Sequence, residues 1–206
     1  MLIKICGLTN PKEADYLNKN HVDFAGFVLF FPKSKRNVTI KTAKEIMKQL
    51  SQDIKKVAVV VSPTKEQAIE ICNAGFDYIQ IHGDLSEELL DTITIPILKA
   101  FNVKDMGQYK TYRTCDKIAG YVFDAQEPGS GKNFDWNLCT NIPIDEKLFL
   151  LAGGLYPENV GDAIKALHPD GVDVSSGVEF GKEITGKDPN KVDAFVAAVR
   201  ETNPLF

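Results

Sequence analysis

The chain is poor in the residues that build disulfide frameworks and metal centres. Its 206 residues carry four cysteines, at 6, 72, 115 and 139, and three histidines. There is no Cys-x-x-Cys pair and no zinc-like Cys/His spacing, so neither a disulfide scaffold nor a structural metal is indicated. A basic excess is also missing: the formal net charge is −4. That argues against a nucleic-acid or anionic-membrane surface, and any anionic ligand must meet locally concentrated positive charge. No apolar run approaches the ~18 residues of a membrane span, and the first apolar stretch is broken too early for a secretory signal. The expected location is the cytoplasm. No GxGxxG or Walker-type loop follows the first strand.

What is present is an ordinary globular composition, 44% hydrophobic and 25% charged, in a length that supports one substantial core, so residues 1–206 are expected to form a single domain. Continuous Val/Ile/Leu/Phe runs recur and alternate with segments of 3.6-residue apolar spacing, the pattern of parallel strands joined by crossover helices. Strands are predicted near 2–6, 23–30, 55–61, 77–82, 96–101, 117–124, 147–152 and 171–175. Helices fit near 11–20, 39–51, 64–74, 86–92, 104–112, 135–140, 157–167 and 190–201, with Thr64 and Ser86 as N-caps and Pro157 at a first helical position. Cys72, in EQAIEICNAGF, reads as a small buried apolar residue. Eight strand–helix units favour an α/β fold of the (β/α)8 TIM-barrel type over an open doubly wound sheet.

In such a barrel the segment after each strand lies on the catalytic rim. The rim then presents Cys6, Arg36, Ser62, His82, Phe101, Asp124, the pair Gly153-Gly154, and Ser175-Ser176-Gly177. LLAGGLYPENV and GVDVSSGVE each end a strand in small residues that leave backbone N–H groups open to a phosphate. Arg36, beside Lys33 and Lys35, is either part of a solvated basic loop or the holder of a second anionic group such as a carboxylate. Cys6 is either a satisfied core thiol or a base, and Lys4, two residues earlier on the same strand face, is expected to favour the thiolate. Asp124 is either a turn former or a carboxyl whose apolar neighbours and Gly-rich following loop suit a proton donor. His21 and His168 precede strands and fall on the opposite face; only His82 reaches the site. A two-histidine metal centre is therefore not expected, and the chemistry reads as metal-free proton transfer.

The motifs KICG, QIHG, the FDW after the sixth-strand loop, LAGGLYPENV and GVDVSSGVE, in this order, resemble those of the phosphoribosylanthranilate isomerase family of tryptophan biosynthesis, and the resemblance spans essentially the whole chain. It implies a (β/α)8 barrel that performs an Amadori rearrangement without a cofactor, converting N-(5-phosphoribosyl)anthranilate to 1-(o-carboxyphenylamino)-1-deoxyribulose 5-phosphate. By that resemblance Cys6 is the general base and Asp124 the general acid. Arg36 holds the anthranilate carboxylate, and the amides around Gly153, Gly154, Ser175, Ser176 and Gly177 hold the phosphate. His82 and Asp173 match substrate-binding motif positions, although Asp173 is equally placed to pair with Lys4 inside the barrel. The sequence departs from the family where an SPR tripeptide reads Ser34-Lys35-Arg36, where a GGTG-like stretch reads Gly129-Ser130-Gly131-Lys132, and where a strand ending in GVF reads VVVS. A different phosphosugar isomerase and a non-enzymatic barrel that binds a phosphorylated metabolite remain the competing readings. The expected partner is a small molecule; monomer and homodimer are both open.

Overall fold

The computed structural model describes residues 1–102, 108–124, 146–181 and 185–202. Its elements run β1 (Leu2–Cys6), α1 (Glu13–Lys19), β2 (Phe24–Leu29), β3 (Asn37–Val38), α2 (Ile40–Met47), β4 (Lys55–Val61), α3 (Lys65–Cys72), β5 (Tyr78–His82), α4 (Glu87–Thr92), β6 (Ile97–Asn102), α5 (Tyr109–Tyr112), β7 (Ile118–Asp124), β8 (Leu148–Ala152), α6 (Val160–Leu167), β9 (Gly171–Val174) and α7 (Pro189–Thr202). The ladders between them are parallel, and β9 pairs back onto β1, which itself pairs with β2. Eight strands therefore close into a barrel, and the two-residue β3 extends only the C-terminal end of β2.

The strands stand within two residues of their predicted bounds, because chains buried on both faces show continuous apolar runs. Alternation sorts their side chains. Phe24, Val57, Val59, Leu98, Ala100, Val122 and Leu150 point inward and pack with Cys6. The residues between them, such as Ile5, Ala25, Phe27, Ile79 and Val172, pack outward against the helices. Thr64 and Ser86 cap α3 and α4 as expected, and Thr64 forms a reciprocal capping box with Gln67.

Some expectations fail. Helix α6 begins at Val160, not at Pro157, which sits in a preceding turn closed by Asn159 and Val160 N–H groups donating to the Tyr156 carbonyl. Phe101 does not face the rim, because the register that turns Leu98 and Ala100 inward turns it outward, into an aromatic cluster with Tyr112, Tyr121 and Phe123. Cys72 is only partly buried against the core. The helix predicted at 135–140, the Gly129–Lys132 stretch and Cys139 lie outside the described residues, as does the start of the helix predicted at 104–112.

At the N-terminal end of the barrel one device recurs. Asp23, Asp77 and Asp170 each precede a strand and accept the backbone N–H of the neighbouring strand, from Ile3 at 2.7 Å, Lys56 at 2.7 Å and Phe149 at 2.8 Å. These bonds pin the stagger of adjacent strands at the end remote from the rim. His21 and His168 lie at this end too, in left-handed turns after α1 and α6 with φ +44° and +47°.

Candidate active site

The C-terminal ends of the strands enclose a cavity of about 270 Å³, near the lower end of small-ligand sites, ~300–1,000 Å³. Cys6, Arg36, His82, Asp124, Gly153, Gly154, Asp173, Ser175 and Ser176 all line it. Of the sequence-predicted site residues Gly177 does not: a Cβ there would lie 1.9 Å from the Leu155 carbonyl oxygen, so glycine is required for the last two loops to pack. Ser62 is also absent from the wall; its hydroxyl accepts the Asp84 N–H at 3.0 Å and ties two neighbouring loops together.

Cys6 ends β1 with its side chain inward and buried. Gly26 on β2 makes room for it, since a Cβ at that position would come within 2.9 Å of the sulfur. Below it Lys4, wholly buried, donates to Asp173 Oδ2 at 2.7 Å. Burial pushes the Cys6 thiol above its ordinary range and Asp173 adds to the effect, while Lys4 and Lys187 pull the other way. Lys4 favours the thiolate as expected, but desolvation outweighs an ammonium that Asp173 already partners, so the net shift is upward. Burial likewise raises the Asp173 carboxyl against the pull of Lys4. Burial works against the Lys4 ammonium too, yet Asp173 and Cys6 hold its pKa up.

Gln80 and His82 are alternate residues on β5 and both face the cavity. The Gln80 amide nitrogen lies 2.9 Å from His82 Nε2; an amide nitrogen donates, so His82 accepts and carries its proton on Nδ1. Burial, followed by the charges of Lys4 and Lys99, depresses the His82 pKa to about 4, and the ring is neutral at physiological pH. Gln80 Oε1 and Asp173 Oδ1 are buried and have no hydrogen-bond partner among the described residues. Both residues line the cavity, so a polar ligand there finds two acceptors.

Arg36 lies on the loop between β2 and β3. The loop lacks the proline of an SPR tripeptide but is tied down by Ser34 N–H to the Phe31 carbonyl at 2.9 Å, Arg36 N–H to Ser34 Oγ at 3.2 Å and Phe31 N–H to Asn37 Oδ1 at 2.7 Å. The stem of Arg36 crosses Gly7, whose φ is +82° and whose absent Cβ would sit 2.5 Å from Arg36 Cδ. Its head meets Glu179, with Nε donating to Oε1 at 2.5 Å and Nη2 to Oε2 at 3.2 Å. Lys35 and Lys187 reach the same carboxylate at 2.8 and 3.1 Å. Burial opposes the charge on Glu179, but Arg36, Lys35 and Lys187 depress its pKa to about 2.

The last loops close the rim. Gly153 and Gly154 follow β8 with left-handed φ of +88° and +64°, a conformation that leaves no side chain between backbone and cavity. Ser175 Oγ donates to the Cys6 carbonyl at 2.9 Å, and Lys187 Nζ donates to the Ser175 carbonyl at 3.1 Å. Glu13, also buried, accepts the N–H groups of Thr9 at 2.6 Å, Asn10 at 3.1 Å and Lys187 at 2.7 Å. Asp124 ends β7 at the cavity edge, in register with Asn102 and Ala152; the loop after it lies outside the described residues.

Gln80, Glu179, Lys187 and Glu13 carry no role in the sequence reading. Gln80 was findable, since it shares the parity of His82. Glu179 stood inside a quoted motif, but its partner Arg36 is 143 residues away, and nothing local pairs them. Among the described residues no group of three or more His, Cys, Asp and Glu is placed to hold a metal ion, and no helix is long and apolar enough to cross a membrane.

Known proteins share this architecture. A family model described as N-(5'phosphoribosyl)anthranilate (PRA) isomerase matches residues 3–198. The N-(5'-phosphoribosyl)anthranilate isomerase of Listeria welshimeri is 38% identical over 205 residues, covering 97% of this chain and 98% of the relative. That of Acetivibrio thermocellus is 38% identical over 216 residues, covering 98% and 96%. The crystal structure of phosphoribosyl anthranilate isomerase from Thermotoga maritima superposes with a TM-score of 0.84 at 34% identity, covering 100% of both chains. A crystal structure of a phosphoribosyl anthranilate isomerase in complex with reduced 1-(o-carboxyphenylamino)-1-deoxyribulose 5-phosphate gives 0.83 at 31% identity, covering 98% of this chain and 99% of the other.

Proposed function

The chain belongs to the N-(5'-phosphoribosyl)anthranilate isomerase family of enzymes, and from that membership we propose that residues 1–206 form one catalytic unit performing the Amadori rearrangement of N-(5-phosphoribosyl)anthranilate in tryptophan biosynthesis, in the cytoplasm, with Cys6 as general base and Asp124 as general acid. The observation that carries the reading is one cavity that collects Cys6, Asp124, Arg36 and the Gly153-Gly154 turn from four different strand ends.

Asp124 protonates the furanose ring oxygen, the ring opens, and the anthranilate nitrogen becomes a protonated Schiff base. The Cys6 thiolate then takes the C2′ proton, giving an enolamine that tautomerises to the ketone; isomerisation moves no net proton. The resting thiol is held protonated by burial, so only a minor thiolate fraction reacts. The positive charge created by ring opening, with Lys4 and Lys187, favours that fraction when it is needed. Arg36 holds the anthranilate carboxylate. The phosphate rests on the backbone around Gly153, Gly154, Ser175 and Ser176, with Gly177 shaping the turn. Asp173 Oδ1 and Gln80 Oε1, the two unpartnered acceptors, receive ribose hydroxyls, and neutral His82 fixes the Gln80 amide. The chemistry asks for no cofactor.

The test is the decay of anthranilate fluorescence when the protein meets freshly generated phosphoribosylanthranilate, beside Cys6→Ser and Asp124→Asn. Turnover should fall by ~10²–10⁴ in both variants. Turnover that survives in one variant removes that residue from the mechanism, and none by wild type removes the substrate assignment.

A further inference from the structure

We infer that Glu179 is the positioning residue for Arg36: it occupies one edge of the guanidinium and so presents the other edge to the substrate carboxylate. The inference rests on the proposed role of Arg36 and goes beyond it, because a guanidinium has two bidentate edges and this structure allots one of them. Glu179 takes Nε and one Nη2 hydrogen, and the remaining Nη1/Nη2 edge belongs to a residue that lines the cavity. Five N–H donors in a rigid fork make such sharing possible, and the ammonium of a lysine cannot reproduce it.

Three further observations separate this arrangement from an incidental ion pair. Glu179 is itself buried, with its side chain 4% exposed, whereas Arg36 is 25% exposed, so the fixed partner is the carboxylate and the reaching one is the arginine. Lys187, wholly buried, holds Glu179 from behind, and its ammonium is anchored in turn on the Ser175 carbonyl. The Arg36 stem is also confined against Gly7, where no Cβ could be accommodated. Head and stem are thus both fixed before a ligand arrives. One carboxylate facing Lys35, Arg36 and Lys187 leaves two positive charges uncompensated within the cluster, and a ligand carboxylate adds to it without expelling Glu179. Orientation fixed in advance lowers the entropic cost of binding.

The role predicts a KM effect with little change in kcat, since an orienting contact to a non-reacting group acts on ground state and transition state alike. With phosphoribosylanthranilate, Glu179→Gln should raise KM tenfold or more while kcat stays within about threefold. Arg36→Met should raise KM at least as far, and Glu179→Gln combined with Arg36→Met should bind no worse than Arg36→Met alone. A KM unchanged by Glu179→Gln, or effects that multiply in the double variant, would overturn the inference. Arg36→Lys, which keeps the charge on a half-exposed loop and needs no change at Glu179, supplies an independent arm. It should bind as poorly as Arg36→Met, and a wild-type KM would sink the two-edge arrangement. Wild-type turnover is the control: its absence refutes the substrate assignment, whereas its presence beside an unaffected Glu179→Gln refutes only the role of Glu179.

Discussion

Lys4 Nζ and Asp173 Oδ2 lie 2.7 Å apart across the β1/β9 pairing, inside the barrel and one step below the Cys6 thiol. Each is the other's compensation in the buried interior of the barrel. Lys4→Met alone should destabilise the protein by about 3–5 kcal/mol, because it strands a buried carboxylate. Adding Asp173→Leu should recover much of that loss. Urea unfolding of the two variants decides the matter, and a double variant weaker than the single one would contradict it.

In the proposed mechanism the reactive form carries one proton on the pair, on Asp124 and not on Cys6. A carboxyl ordinarily ionises before a thiol, so the reactive form is a minor tautomer of the singly protonated pair, and its share is constant over a plateau. The alkaline limb of kcat/KM should therefore report Cys6 and fall above the ordinary thiol value of 9.0. A fall well below that value in the pH–rate profile would show the thiol to be unshifted or uninvolved.

His82 should titrate with a midpoint of about 4. Its depressed pKa means that the unfolded chain binds the proton first. Its contribution to stability is present above the ordinary 6.5 and is lost as pH falls from there to about 4. Histidine NMR titration gives the midpoint directly, and a normal midpoint would dissolve the argument for a neutral, Nδ1-protonated ring.

The Glu179 cluster contributes in a lower window. Its carboxyl ordinarily titrates at 4.5 and is depressed to about 2, so the stabilisation is present above pH 4.5 and disappears as pH falls through 2. The gap in unfolding free energy between wild type and Glu179→Gln should close over that range. Curves that remain parallel would assign the effect to lost packing.

Gly26→Ala places a Cβ 2.9 Å from the Cys6 sulfur and 3.1 Å from its Cα. Overpacking of this kind costs about 1–3 kcal/mol and forces the thiol off its position. The expected result is a kcat loss larger than the stability loss explains at assay temperature; a fully active variant would show that the thiol position is not critical.

The strands were legible because both their faces are buried, and β1 and β7 were read from LIKIC and IAGYVFD with bounds correct to about a residue. The cavity lining followed from strand ends, which is why Cys6, His82, Asp124 and the glycine pair, all read as rim residues, line it. Three things were not legible. The net rise of the Cys6 pKa was missed because a sequence shows the nearby ammonium of Lys4 but carries no measure of desolvation. Phe101 was read as a rim residue because it ends an apolar run, and only the register tells inward from outward. The Glu179 cluster joins residues 35, 36, 179 and 187, a set without any local periodicity.

The buried carboxylate of Glu13 bridges the first and last loops of the rim, and it has company: Ser175 on the Cys6 carbonyl, Asp173 on Lys4 and Glu179 on Arg36 span 143 to 174 residues of chain. Contacts of such separation form late, after the loop entropy of nearly the whole polypeptide has been overcome. During synthesis the residues around Cys6 emerge early, yet Lys4 lacks its charge partner Asp173, and the Cys6 carbonyl lacks the Ser175 hydroxyl that donates to it, until the last strand follows. The thiol therefore acquires its working environment in the same step that shuts the barrel, and a refolding chain should regain catalysis only with its final phase.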